Sequence, residues 1–230
     1  MKRRVKVWGV SVLALAAVGV VAVAATGGFG SAQPSSQPVA GTGTGETVAF
    51  YGDSYTLGTG ASDPSKRWST VVSEERNWRE VNPSVNGLGF INNRTQFGDN
   101  DLPAAIIESD PDIVFVTMGL NDNFSFAVAA DDIEKQITED LTRLHDALPD
   151  ARFIVVEPFW YTDERPQSLE TIIGWVRDAA VAIDADYIEG ASRWIEGHPE
   201  WMANDGLHPN DDGYAEMAAR MNEELALLGL

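Results

Sequence analysis

TVAFYGDSYTLG, residues 47–58, is an apolar run that stops at Gly52 and gives way at once to Asp53 and Ser54. A short apolar run bounded by a turn residue reads as a buried strand, and the glycine permits the chain to turn sharply after it. A serine that opens a helical turn directly beyond a strand meets free backbone N–H groups and the positive end of the helix dipole, a place that stabilises negative charge. Taken alone, Ser54 reads better as a helix N-cap than as a nucleophile.

Working outward, four more short runs have the same character: EVNPSV (80–85), DIVFVTMG (112–119), RFIVVEP (152–158) and DYIEG (186–190). Helical segments are predicted between and after them, near 65–77, 103–109, 131–148, 167–182 and 210–228. In the third of these Ile133, Ile137, Leu141, Leu144 and Leu148 recur at spacings of four and three, which makes one apolar stripe. Strand alternating with helix predicts an α/β fold, a three-layer α/β/α sandwich around a five-stranded parallel sheet covered on both faces. In such a sheet the functional crevice lies beyond the carboxyl ends of the strands. The residues to inspect are therefore Asp53 and Ser54, Asn86 and Gly87, Asn121 and Asp122, and the loop with Asp205 and His208 before the last helix.

The chain has 230 residues, enough for one domain and a tail. MKRRVK (1–6) precedes nineteen uncharged residues, Val7 to Ala25, and then a Gly/Ser/Thr/Gln/Pro stretch to Gly45. A basic start before an apolar run is an export signal, and this run is long enough to be either a cleaved signal peptide or an N-terminal membrane anchor with its basic end inside. Both versions place the remainder outside the cytoplasm, secreted or tethered to the cell membrane. Residues 26–45 cannot bury enough apolar surface to offset ordering entropy and are predicted to be a flexible linker, leaving 46–230 as the domain.

Four of the 16 Lys and Arg lie ahead of the apolar run, so the remaining 12 face 35 Asp and Glu. Such a surface repels phosphate backbones and anionic headgroups, which makes nucleic acid an unsuitable partner and leaves the N-terminal segment as the membrane contact. The plain reading of the charge is solubility, and a monomer is expected. The chain has no cysteine, which excludes disulfides, thiolate metal sites and cysteine nucleophiles.

A serine hydroxyl needs a base, a group that orients the base, and donors for the oxyanion. There are three histidines. His145 falls on the surface of an amphipathic helix and His198 lies in the polar loop EGHPEW. His208 stands in DGLHPN with Asp205 three residues earlier, a spacing that lets a carboxylate reach one imidazole nitrogen within a turn and leaves the other for serine. An Asx turn with an incidental histidine would look the same. Asn121, in MGLNDN after a strand, could donate its amide to an oxyanion or simply sit in a turn. Gly87, in VNPSVNGLGF, could donate its N–H to a closely approaching substrate or be an ordinary loop glycine.

Together the segments GDSYT, a glycine after the second strand, GLND and DGLHP resemble the SGNH/GDSL hydrolases, serine esterases and lipases of flavodoxin-like fold. The resemblance runs from about residue 46 to 230. It implies Ser54 as nucleophile, His208 as base, Asp205 as its orienter, and an oxyanion hole from the Ser54 and Gly87 N–H groups and the Asn121 amide. Gly89 rivals Gly87, which fits the family's spacing better. It implies a carboxylic ester hydrolase that works through an acyl-enzyme, with no cofactor and no metal. Asp53 and Asp122 read as turn or N-cap carboxylates. The substrate is left as a small-molecule, polysaccharide or lipid ester, with O-acetylated glycans and lipid esters suggested by export. Tyr55, Leu57, Phe90, Trp160, Trp201 and Met202 are candidates to line its pocket, at least half of them expected to be packing residues. The alternative is a surface-tethered carbohydrate or cell-wall binding module that keeps the fold without turnover.

Overall fold

The computed structural model describes residues 39–40, 43–97 and 101–230. The signal or anchor expected over 1–25 lies outside them, as does most of the linker.

Five parallel strands form the sheet: β2 (Thr47–Gly52), β3 (Arg79–Asn82), β4 (Ile113–Thr117), β5 (Arg152–Val156) and β6 (Asp186–Ile188). A sixth, β1 (Val39–Ala40), pairs antiparallel to β3, giving the order β1-β3-β2-β4-β5-β6. The edge strand comes from the stretch whose composition reads as linker. Composition excludes a core there, but an edge strand needs only backbone pairing, and β3 offers its free side to these two residues. Strand β3 is shorter than predicted because Pro83 follows Asn82 and has no N–H for the ladder.

Helices cover both faces. A single turn, α1 (Ser54–Leu57), follows β2, and α2 (Trp68–Glu75) lies with α6 (Asp211–Leu227) on one face. Helices α3 (Leu102–Glu108), α4 (Phe126–Ala147) and α5 (Gln167–Ala182) lie on the other. The side-chain alternation of the strands divides the core accordingly. Val48, Phe50, Phe115 and Val156 pack with Trp68, Met217 and Met221, while Ala49, Tyr51, Val114 and Val155 pack with Ile106, Ile137 and Leu141. Helix α4 begins five residues before its predicted start, across a kink at Ala129 with φ −140° and ψ 23°.

Strand β2 has β3 on one side and β4 on the other, so the chain reverses its winding direction there. The carboxyl ends of these three strands are the switch point at which such sheets bind ligands. They carry Ser54, Gly87 and Asn121. Behind the first loop a buried ion pair, Arg67 to Glu80 at 3.0 Å, is completed by Ser69, Thr70 and Asn82 on the Glu80 carboxylate. Arg67 and Asn82 also donate to the carbonyls of Leu57 and Thr56, tying α1 to the sheet beneath it.

Candidate active site

Gly52 ends β2 at a point where a Cβ would lie 2.5 Å from that of Thr56, so only glycine lets the strand turn into α1. Asp53 caps the turn, its Oδ1 accepting the Tyr55 N–H at 2.9 Å, and Gly58 closes it at φ +86°. Ser54 is thereby held at the first helical position, 4% exposed. No acceptor for its N–H is found among the described residues.

The Ser54 Oγ lies 2.9 Å from His208 Nε2, and His208 Nδ1 lies 2.7 Å from Asp205 Oδ2. Asp205 Oδ1 accepts the N–H groups of Leu207 and His208 at 2.9 and 3.0 Å. The His208 side-chain bond and these backbone donors hold the Asp205 carboxyl down to about 2. An ionised carboxylate only accepts, so Nδ1 carries the proton and Nε2 is left to accept the serine hydroxyl. The loop is closed by Ala203 N–H donating to His208 O at 2.8 Å and by bridge pairing of Met202 with Pro209. Gly60 presses against it: a Cβ there would lie 2.3 Å from the Pro209 carbonyl.

Gly87 has φ +70°, and its carbonyl accepts the side-chain amides of Asn92 and Asn93 at 2.9 Å each. Among the described residues its N–H has no acceptor, whereas that of Gly89 donates to Asn92 O at 2.9 Å. Gly89 serves packing: a Cβ on it would lie 2.5 Å from the Asp122 carboxylate. That carboxylate, fully buried, accepts the N–H groups of Phe90, Ile91 and Asn92 at 2.8 to 3.1 Å and so shapes the loop that carries Gly87. Burial pushes its pKa up against those three donors.

Asn121 opens a 3-10 turn after β4, 7% exposed. Its Nδ2 donates to Leu88 O at 3.0 Å and to Asp53 Oδ2 at 3.2 Å. Burial pushes the Asp53 carboxyl up to about 7, the Tyr55 N–H opposes the rise, and nearby Asp122 adds to it. Asp53 and Asp122 are thus the turn-forming carboxylates the sequence suggests, with a reach across the site that local sequence does not display.

The structure brings Ser54, Asp205 and His208 into one hydrogen-bonded chain and sets Gly87 and Asn121 on the adjoining loops. His145 is half-exposed on α4 beside Asp146. His198 is partnered within its polar loop: its Nδ1 meets Glu200 at 2.8 Å and its ring stacks on Trp201 at 3.6 Å. Of the proposed pocket residues, Tyr55, Phe90 and Trp160 are buried in the core, while Leu57, Trp201 and Met202 are partly exposed. Tyr55 has a role that the sequence does not reveal: its hydroxyl donates to Leu207 O at 2.7 Å, beside His208. Among the described residues no group of three or more His, Asp or Glu is placed to hold a metal ion.

A parallel sheet with a Ser–His–Asp hydrogen-bonded chain at its switch point has the arrangement that nucleophilic catalysis requires. The chain belongs to the GDSL-like lipase/acylhydrolase family, whose sequence profile matches residues 50–216, and is a carboxylic ester hydrolase. It is 26% identical over 185 residues to a GDSL lipase of Mycobacterium tuberculosis, covering 76% of this chain and 79% of that one. Among solved structures it is similar to the psychrotrophic esterase EstA from Pseudoalteromonas sp., with TM-score 0.63 and 15% identity over 80% of this chain and 98% of that one. It is also similar to an acetylxylan esterase from Geobacillus stearothermophilus, with TM-score 0.59 and 18% identity over 79% of this chain and 94% of that one.

Proposed function

We propose that the protein is an extracytoplasmic serine esterase in which Ser54, His208 and Asp205 act as nucleophile, base and orienter. The observation that carries this reading is the unbroken chain from Ser54 Oγ through both His208 nitrogens to Asp205, at 2.9 and 2.7 Å. As Oγ attacks the ester carbonyl, its proton passes to His208 Nε2, and the imidazolium that forms is steadied by ionised Asp205. The tetrahedral oxyanion is held by the N–H groups of Ser54 and Gly87 and the amide of Asn121. His208 returns the proton to the leaving alkoxide as the C–O bond breaks. Water then attacks the acyl-enzyme, giving its proton to His208, and the carboxylic acid leaves as Ser54 is regenerated.

The substrate we favour is a short acyl ester on a polar carrier, an O-acetylated glycan before a lipid ester. The loop beyond Ser54 and the loop of Gly87 meet at a polar contact, Thr59 to the exposed Asn86, and Asn92 and Asn93 stand behind it. Amides and hydroxyls at a crevice mouth suit a carrier rich in hydroxyls better than a long chain. The similarity to an acetylxylan esterase agrees with this choice, and the relative named a lipase supports the other. Placement outside the cytoplasm rests on the basic start and apolar run of residues 1–25. Among the described residues no helix is long and apolar enough to cross a membrane.

A panel of p-nitrophenyl esters from acetyl to palmitoyl, with acetylated xylan and acetylated wall polysaccharide, tests the substrate. Highest kcat/KM on acetyl esters, with acetate released from the glycans, is expected. A preference that climbs with chain length would transfer the assignment to lipid esters.

A further inference from the structure

An amide side chain can sit in its pocket in two ways that differ only in exchanging its oxygen and nitrogen. For a donor to an oxyanion the difference is one of sign, because the flipped side chain aims a carbonyl at the developing charge. What selects the orientation of Asn121 is the pair of acceptors around Nδ2: the carbonyl of Leu88 at 3.0 Å and the carboxylate of Asp53 at 3.2 Å. We propose that Asp53 is a positioning residue for the oxyanion site, fixing the amide of Asn121 so that its nitrogen rather than its oxygen faces the reaction.

This rests on the reading of Asn121 as an oxyanion donor. At rest both Nδ2 hydrogens are engaged, so one must be shared with the substrate. The Asp53 contact is the longer of the two and is the one that yields to a nearer negative charge. The side chain at position 53 meets two donors: Oδ1 takes the Tyr55 N–H at 2.9 Å, and Oδ2 takes Asn121. Both of its terminal atoms must therefore accept. A carboxylate does this and an asparagine cannot, because one of its atoms is an NH2 group. With 1% of the residue exposed, water is not at hand to make good a mismatch. A role confined to capping α1 would ask for one acceptor only, which Asn or Ser supplies as well as Asp.

Capping and positioning separate on that point. Asp53→Ser keeps the cap but falls short of Asn121, and Asp53→Asn keeps the shape but turns one acceptor into a donor. Steady-state kinetics on p-nitrophenyl acetate would compare these full-length variants with Asn121→Ala and with each double variant, folding being checked by circular dichroism and thermal melting. Each single substitution is expected to lower kcat on the order of 100-fold with KM within about threefold. Asp53→Ser/Asn121→Ala is expected to be within about threefold of Asn121→Ala alone, since a positioner has nothing left to position. Losses that multiply in the double variant would overturn the proposal, as would wild-type kcat in folded Asp53→Ser or in Asn121→Ala. If Asp53→Asn does not fold, the Asp53→Ser arm decides. A Ser54→Ala control separates the two levels: activity surviving it contradicts the serine mechanism itself, whereas an inactive Ser54→Ala beside multiplying losses contradicts only the role of Asp53.

Discussion

The hydroxyl of Tyr55 donates to the carbonyl of Leu207 at 2.7 Å, joining the residue after Ser54 to the residue before His208. The two are 152 positions apart in sequence, and this bond, with the stacking of Tyr55 on Phe159, locates the histidine loop relative to α1. The separation of Ser54 Oγ from His208 Nε2 is thus set by a buried phenol as well as by the imidazole's own partners.

Tyr55→Phe keeps the ring and its stacking and removes only that bond. It is expected to lower kcat about tenfold with little change in KM, because the base is less well held, and to cost about 1 kcal/mol in urea unfolding. Unchanged kcat in the folded variant would show that the loop is located by Gly60 and the Met202–Pro209 bridge alone.

Asp205 is held down to about 2, so it stays ionised wherever the enzyme is folded and active. The sign follows from linkage: a carboxylate lowered in the folded state contributes stability above its unfolded pKa and loses it as pH falls through about 2. The acid limb of kcat/KM is therefore expected to carry no ionisation from Asp205, whereas protonation of the Asp53 carboxylate that orients Asn121 is expected to contribute as pH falls through about 7. Asp205→Asn can no longer fix the tautomer and is expected to lower kcat on the order of 10,000-fold. A pH–rate profile of both proteins checks this, and a second acid ionisation near 4 in the wild type would count against it.

Asp53 has the opposite sign. Its carboxyl is raised from 3.8 to about 7 in the fold, so between these values the native state keeps a proton that the unfolded chain releases. Stability is expected to fall as pH rises across that window, by about 4 kcal/mol at most. Asp53→Asn should flatten this part of the curve of Tm against pH, and curves that run parallel would show that Asp53 does not titrate there.

Gly89→Ala would drive a Cβ to 2.5 Å from the buried Asp122 carboxylate and break the loop that three N–H groups build on it. A loss of several kcal/mol is expected. Gly87→Ala meets only Asn93 at 3.0 Å but is strained at φ +70°, on the order of 1 kcal/mol, so it should fold and lose rate instead. Melting and kinetics on the two variants distinguish packing from catalysis at these neighbouring glycines.

The parts legible in the sequence are those whose cause is local. Apolar runs and the Ile133 to Leu148 stripe announce strands and a helix, and the spacing of Asp205 and His208 lets one turn join them. The contacts that align the site are not local: Asp53 to Asn121 spans 68 residues, and Tyr55 reads from sequence only as an aromatic near a crevice. Strand β1 is hidden for a different reason, since two residues in a glycine-rich stretch carry no periodicity. Partners such as Glu200 for His198 lie close in sequence, yet an exposed loop carries no pattern that marks the pairing.

Ser54 as the nucleophile is the claim on which the rest depends. Reaction of the purified full-length protein with an ethyl phosphonate ester, followed by peptide mass analysis and paired with the activity of Ser54→Ala, tests it most directly. One phosphonyl group per chain on the peptide containing Ser54, with turnover of p-nitrophenyl acetate lost on labelling and absent from Ser54→Ala, is the predicted result. Label on another residue, or wild-type turnover by folded Ser54→Ala, would contradict it.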